Sequence, residues 1–383
     1  MKKKLVYILN QYSEKEGSHF FHILNLLEEI ASNGIEIILI IEKSKSKPKF
    51  TSQNIQVVLQ KRKGILRPIE LIILLLNFNR QGYKKVFIRI SQWGAIPAII
   101  LSKFTSLETY FWHSGTTHRL DKQREINIKT IKWFFNSYLP FRFVVNNISF
   151  FVTGPETMIN YYNKQVGVNE KKLLCLYNDI DLKRFKKISE EDKYKLKLNK
   201  NLDPKNKIIL FVHRFSPVRK SLFYMPYILN KALKDKNNIC IVIGGGPELQ
   251  EFKKEVVRQD LSAQIQILGE IPNSEIQEYY SLSDIFINPT YTEGFPRVVL
   301  EAMASGMPIV TTNAGGIQDL LGSNQLEYMS DIENRDEFSE LLFNLIGNTN
   351  VQSKLINENI KHVKRFSTDN VAKMYINKIF KSE

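Results

Sequence analysis

Apolar residues recur along the chain in two alternating rhythms. KLVYILN (4–10) is a short apolar run followed by a polar loop containing Gly17. Phe20, Ile23, Leu24, Leu27, Ile30 and Ala31 then repeat at helical spacing until Gly34 closes the helix. IEIILII (35–41) is a continuous apolar run of the kind buried in a parallel sheet. KKVFIRI (84–90), TYFWH (109–113) and FFVTG (150–154) extend the series. A charged stretch at 186–207 interrupts it, and IILFVHR (208–214), ICIVIGGG (239–246), IQILG (265–269), DIFINP (284–289) and PIVTT (308–312) form a second series. Strands alternating with helices predict parallel, doubly wound sheets of the α/β class. Two series in 383 residues predict two Rossmann-like domains facing across a cleft. The expected division is 1–187 and 188–366, with 367–383 a C-terminal helix packing back on the N-terminal domain.

Composition narrows this picture. The longest apolar runs, at 69–78 and 93–101, fall short of the roughly 18–20 residues that span a bilayer. The run Leu5–Leu9 is too short for the core of a signal peptide. Two cysteines far apart, Cys175 and Cys240, fit a reducing compartment and neither a disulfide framework nor a cysteine metal site. These features describe a soluble, cytoplasmic protein. The net charge of +15 is lopsided: residues 1–187 hold 30 Lys and Arg against 14 acids, a net of +16, and residues 188–383 hold 24 against 25, a net of −1. A basic half implies a polyanionic partner, and the anionic face of a membrane fits. Nothing resembles a nucleic-acid recognition motif or a basic stripe interleaved with aromatics.

The chemistry concentrates in YTEGFPRVVLEAMASGMPIV (291–310). Glu293 and Glu301 stand eight residues apart in apolar surroundings, with no basic partner expected on the same helical face. Gly294 marks a loop, Pro296 suits the first helical turn, and Gly306 with Pro308 ends the helix. Glu293 thus precedes the helix, and Glu301 lies near its sixth position. The N–H groups of Phe295, Arg297 and Val298 would lie at the positive end of the helix dipole, where a phosphate can sit. An acid on either side of a phosphate can accept hydrogen bonds from sugar hydroxyls, an arrangement suited to a nucleotide sugar. Arg214 ends a strand and Lys220 follows in HRFSPVRK, so two cations could neutralise a pyrophosphate. IGGGPE (243–248), with Gly244, is a turn that permits close backbone approach.

Order and spacing of these elements resemble glycosyltransferase family 4, of the GT-B fold. The similar segments are VTGPETM (152–158), LYNDIDLKRF (176–185), VHRFSPVRK, IGGGPE, ILGEIP (267–272), the glutamate-x7-glutamate stretch and AGGIQDLL (314–321). The resemblance is dense over 205–322 and thin before 150. It implies that Arg214 and Lys220 hold the donor pyrophosphate and that backbone near Ile271 reads the nucleobase. It places Glu301 on the ribose, the N–H groups of Phe295 to Val298 (with Gly294) on the distal phosphate, and Glu293 on the transferred sugar. In the first domain it assigns Gly17 and Ser18 to a glycine loop touching the donor, and His113, with His118 as its rival, to the sugar. The sequence departs from the family pattern at a single first-domain glycine, at HR for GR, at ND for NG, and at Pro296 where a glycine is usual. Asp179-Ile180-Asp181 formally reads as a metal-binding DxD, but its position makes it a turn, and no metal and no cofactor are expected.

The resemblance implies a metal-independent, retaining hexosyltransferase. It would move a sugar from a nucleotide diphosphate donor, a UDP-sugar, to a glycan or lipid-linked acceptor in cell-surface polysaccharide or glycolipid synthesis. The basic N-terminal half, through Lys61 to Lys63 and Arg67, would hold the enzyme peripherally on the inner face of the membrane. A catalytically silent partner subunit and a nucleotide-sugar 2-epimerase of the same fold are the alternatives.

Overall fold

The computed structural model describes residues 2–13, 21–116, 128–216 and 225–381. The chain divides into two compact units, one of residues 1–177 and 368–383 and one of residues 178–367. Each is built on a wholly parallel sheet.

The first sheet contains β1 (Lys4–Gln11), β2 (Glu36–Lys43), β3 (Ile55–Leu59), β4 (Lys85–Arg89), β5 (Glu108–Trp112), β6 (Phe150–Thr153) and β7 (Leu173–Cys175) in the order 3-2-1-4-5-6-7. The second contains β8 (Lys207–Val212), β9 (Asn238–Ile243), β10 (Ile265–Gly269), β11 (Ile285–Asn288), β12 (Ile309–Thr312) and β13 (Met329–Ser330) in the order 10-9-8-11-12-13. Both orders reverse once, beside β1 and β4 in one sheet and beside β8 and β11 in the other. Ligands of open α/β sheets bind outside the carboxyl ends of the strands at this reversal. The central strands are buried on both faces, which is why they read as continuous apolar runs.

The unit boundary at Tyr177 and Asn178 precedes the one expected at 187, and the contacts of 178–185 explain the difference. Ile180 bridges Ser367, and the Arg184 guanidinium reaches Asn273 and Gln277 (3.0 Å), all in the second unit.

The last helix, Thr368–Ile379, packs on Phe21–Ser32 in the first unit. An aromatic row explains its place. Register pairs Tyr7 with Phe87, Phe87 with Tyr110, and Tyr110 with Phe150 across β1, β4, β5 and β6. Their rings stack at centroid separations of 5.1, 6.3 and 5.0 Å. Tyr375 of the last helix covers Phe87 at 5.5 Å, and the Tyr110 hydroxyl donates to the Ile379 carbonyl at 3.2 Å. On the opposite face the helices Leu66–Arg80, Gln92–Ser102 and Leu139–Asn147 bury Leu71, Leu75, Ala98, Val144 and Val145 against Val6, Ile8 and Val86. Among the described residues no helix is long and apolar enough to cross a membrane.

Candidate active site

The second unit's reversal point brings together the ends of β8 and β11. Beyond β8 the pairing with β9 continues: the N–H of His213 donates to the Ile243 carbonyl and that of Phe215 to the Gly245 carbonyl, both at 2.9 Å. His213 and Phe215 are buried, so the pleat turns the intervening Arg214 outward. Arg214 is exposed and makes no ion pair or side-chain hydrogen bond among the described residues. A cation held on a rigid rail with no partner among those residues is available to an anion. This rail requires Gly244, whose φ is +138° and whose α-carbon abuts the His213 carbonyl; a Cβ there would lie 1.8 Å from that oxygen. Gly244 is therefore fitted against the chain itself.

Beyond β11, a clamp of hydroxyls fixes the acidic loop. Thr290 N–H donates to Thr312 Oγ1 at 2.9 Å, and Thr311 Oγ1 donates to the Asn288 carbonyl at 3.1 Å. Glu293 and Gly294 are buried, and Gly315 (φ +60°) packs under Glu293 so closely that a Cβ would stand 1.8 Å from the Glu293 carbonyl oxygen. Phe295 is buried edge-on against Phe366 at 5.6 Å, and its carbonyl accepts from Asn178 Nδ2 at 3.2 Å. The helix runs Arg297–Ala304 with Pro296 as its N-cap (ψ 112°), not inside the first turn, so Glu301 is its fifth residue. No side chain caps this end. The N–H groups of Arg297 and Val298 therefore emerge from its positive pole.

Glu301 has a basic neighbour after all. Arg297 stands one turn before it, with Nη2 3.9 Å from Glu301 Oε1. The same guanidinium donates to the Asp179 carbonyl and lies 3.5 Å from Asp179 Oδ1. Its side chain thus ties the 178–181 turn to the helix, and its part in an anion seat is left to the backbone. Glu301 also stands near the buried Tyr280 and the half-buried Arg184. Burial, with the Glu301 charge second, pushes the Tyr280 phenol well above its ordinary value. Burial pulls the Arg184 guanidinium down, and Glu301 opposes that shift. Asp181 accepts the N–H groups of Lys183 (2.9 Å) and Arg184 (3.2 Å), so the Asp-x-Asp stretch forms a side-chain-capped turn with Asp179 facing Arg297. Ile271, after β10, is half-buried.

In the first unit His113 follows β5 and is enclosed by aromatic rings, Phe141 at 5.1 Å and Phe111 at 6.0 Å. His113 Nδ1 is 2.6 Å from the Tyr162 hydroxyl, which donates to the Gly115 carbonyl at 3.0 Å. A carbonyl can only accept, so the phenolic proton goes to Gly115 and Nδ1 carries the proton that meets Tyr162. Nε2 is then the free acceptor, and burial lowers the imidazole to about 4. His113 is a neutral ring of fixed tautomer. Gly17, Ser18, His118 and Lys220 lie outside the described residues.

The sequence did not point to a cavity of about 410 Å³ at the carboxyl ends of β1, β2 and β4, beside the first unit's reversal point. Asn10, Glu42, Arg67, Ser91 and Trp93 are among its lining residues. Glu42 is buried and accepts from Ser91 Oγ at 2.6 Å; burial raises its carboxyl above the ordinary value despite that bond and the Arg67 charge. Ile90 beside it holds φ +63°, a costly conformation for a β-branched residue. The available signal was Glu42 itself, a carboxylate closing the apolar run of β2.

Comparison with known proteins bears on the family of the second unit. The family described as Glycosyl transferases group 1 matches residues 192–362. Those residues belong to the group 1 glycosyltransferases. The match covers the unit that carries Arg214, Glu293 and Glu301. The uncharacterized glycosyltransferase MJ1607 of Methanocaldococcus jannaschii is 25% identical over 211 residues, 54% of each chain. The phosphatidylinositol N-acetylglucosaminyltransferase GPI3 subunit of Saccharomyces cerevisiae is 26% identical over 169 residues, 44% of this chain and 35% of that one. The chain thus spans about half or less of the length of these curated relatives. Among solved structures, Anabaena Alr3699/HepE in complex with UDP and glucose superposes with a TM-score of 0.73, covering 98% of this chain and 99% of that one at 15% identity. That likeness establishes the fold, two parallel-sheet Rossmann-like units of the GT-B class.

Proposed function

We propose that the protein is a retaining glycosyltransferase that moves a sugar from a UDP-sugar to a hydroxyl of a glycan or lipid-linked acceptor at an anionic membrane surface. The observation that carries this reading is Arg214, an exposed guanidinium that has no side-chain partner among the described residues, at the reversal point where the glutamate-bearing loop also begins. In this reading Arg214 and Lys220 hold the pyrophosphate, the first-turn N–H groups of Arg297 and Val298 hold the distal phosphate, Glu301 accepts from the ribose and Glu293 from the sugar. Alr3699/HepE, of the same fold, has been solved with UDP-glucose, which supports a uridine donor.

The step breaks the bond between the anomeric carbon and the β-phosphate oxygen. The acceptor oxygen bonds that carbon on the same face, and its proton passes to the departing phosphate. Charge grows on the diphosphate, so the largest contribution of the protein is electrostatic. Neutral His113, with Nε2 as acceptor, is suited to a sugar hydroxyl. The cavity beside Glu42 and Trp93 joins an aromatic ring to hydrogen-bonding groups, a composition suited to an acceptor sugar.

Thermal denaturation with a panel of nucleotide sugars tests the reading, since a bound donor raises the melting temperature by mass action. One UDP-sugar is expected to stabilise the protein, and Arg214→Ala to lower its turnover about a hundredfold, on the order of 3 kcal/mol, with the unliganded melting temperature unchanged. Absence of stabilisation by every nucleotide sugar, or full turnover in Arg214→Ala, overturns it.

A further inference from the structure

The first unit carries an exposed apolar surface confined to one of its two helical layers. Ile65, Leu66, Ile69 and Ile73 stand on one side of the helix Leu66–Arg80, and Ile65 is 86% exposed. Trp93 and Ile100 on the helix Gln92–Ser102, and Phe104 just after it at 83% exposure, continue the surface. Ile131, Phe135, Leu139 and Phe143 follow at four-residue intervals along the helical segment 128–147 and are exposed as well. These segments are neighbours: the first two helices pack together, and the Trp93 indole donates to the Asn136 carbonyl at 3.2 Å. The opposite layer, Phe21–Ser32 with Thr368–Ile379, contributes no large exposed apolar side chain among the described residues. Scattered exposed leucines need no explanation, but a contiguous set on one layer does.

Charge identifies what covers it. Exposed cations surround the apolar residues: Lys61, Arg62 and Lys63 before the first helix, Arg80 at its end, Lys103 after the second and Lys132 on the third segment. In the segments 60–107 and 128–149 the only acid is Glu70, and its carboxylate is occupied by the N–H groups of Lys61 (3.0 Å) and Arg62 (2.8 Å). An apolar face rich in aromatic rings, rimmed by cations and almost without acids, has the pattern of elements that lie in a membrane interface.

We infer that this helical layer docks on an anionic lipid bilayer, with Ile65, Ile69, Trp93, Phe104 and Phe135 entering the interface and Lys61, Arg62 and Lys63 meeting the headgroups. The inference deepens the membrane part of the function proposed above and rests on it. It replaces a general attraction to negative charge with a defined face. The cavity beside Glu42 shares Arg67, Trp93 and Asn136 with this layer, so docking would bring the acceptor cavity to the plane where a lipid-linked acceptor lies.

Co-sedimentation of the full chain with vesicles tests this, using phosphatidylcholine alone and equal parts of phosphatidylcholine and phosphatidylglycerol. Binding to the anionic vesicles is expected, weakening with salt. Ile69→Glu with Phe135→Glu should reduce it at least about tenfold, the worth of one large apolar side chain leaving water. Lys61→Gln, Arg62→Gln and Lys63→Gln should each reduce it about fivefold. Independently of any apolar substitution, brominated lipid should quench wild-type tryptophan fluorescence, and Trp93→Phe should remove part of that quenching. Equal binding to both vesicles, unchanged binding by the double variant, or absence of quenching overturns the inference. So does a self-associating protein that ignores vesicles and becomes monomeric on Ile69→Glu, which would make the face an interface between copies. Donor-induced thermal stabilisation should survive in the double variant; its loss in the wild type with vesicle binding intact would count against the donor site alone.

Discussion

His113 shows how neighbours set the chemistry of one residue. The resemblance put it at the sugar with His118 as rival but gave neither its tautomer nor its charge, because the decisive partner, Tyr162, stands 49 residues away. Its surroundings fix both the tautomer and the charge. Burial depresses the imidazole from near 6.5 to about 4, so between these values the unfolded chain binds a proton that the folded chain does not. The linkage has one sign: this contribution to stability is fully present above about pH 6.5 and is lost as pH falls toward 4. Urea denaturation across that interval should show stability rising with pH, and His113→Asn should flatten the slope. An unaltered slope would place the titrating group elsewhere. Arg297 teaches the opposite lesson: no basic partner was expected on the face of Glu301, yet the offset of four stood in the sequence and the contact at 3.9 Å follows from helix geometry alone.

At the scale of elements, the legible parts were those with a strong period. The central strands β1, β2, β4, β8, β9 and β11 read directly as apolar runs because both faces are covered. The edges did not. β3 is half exposed along most of its length, β7 has three residues and β13 two, so none carries a pattern long enough to distinguish it from a loop. The start of the helix Arg297–Ala304 was misplaced by one residue, since proline serves either as first residue or as cap and only ψ separates the two. The roles of the glycines were legible as turns but not by partner. Gly315 is the clearest case, because what it approaches is the Glu293 backbone. Gly315→Ala must strain a positive φ and displace the carbonyl it meets. The expected cost is about 1–3 kcal/mol by urea denaturation, together with weaker nucleotide-sugar binding. Strong destabilisation with intact binding would show that Glu293 does not depend on this support.

For the whole molecule, the return of the C-terminal helix to the first unit joins Thr368–Ile379 to the helix Phe21–Ser32 and to the rings of β4 and β5. The aromatic row Tyr7, Phe87, Tyr110 and Phe150 arises from four strands whose spacing in sequence is irregular, so only the sheet register reveals it. A row of large rings on one sheet face needs a cover, and Tyr375, Val371 and Ile379 are buried in providing it. The first unit is therefore incomplete until the last residues of the chain are made, whereas the second is continuous in sequence. Units with separate cores need not unfold together. Tyr375→Ala removes a ring that is 1% exposed and should cost about 3–5 kcal/mol by the usual penalty for emptying an aromatic site. Calorimetry should resolve that loss as a lowered transition that a UDP-sugar does not shift, beside a second transition that the sugar still raises. A chain ending at Ser367 should show the same asymmetry more strongly, with the first unit unable to fold and the second, which holds Arg214 and Glu301, still binding the nucleotide. If truncation lowered both transitions together, the last helix would be serving both units, and the division at Tyr177 would describe contacts without describing stability.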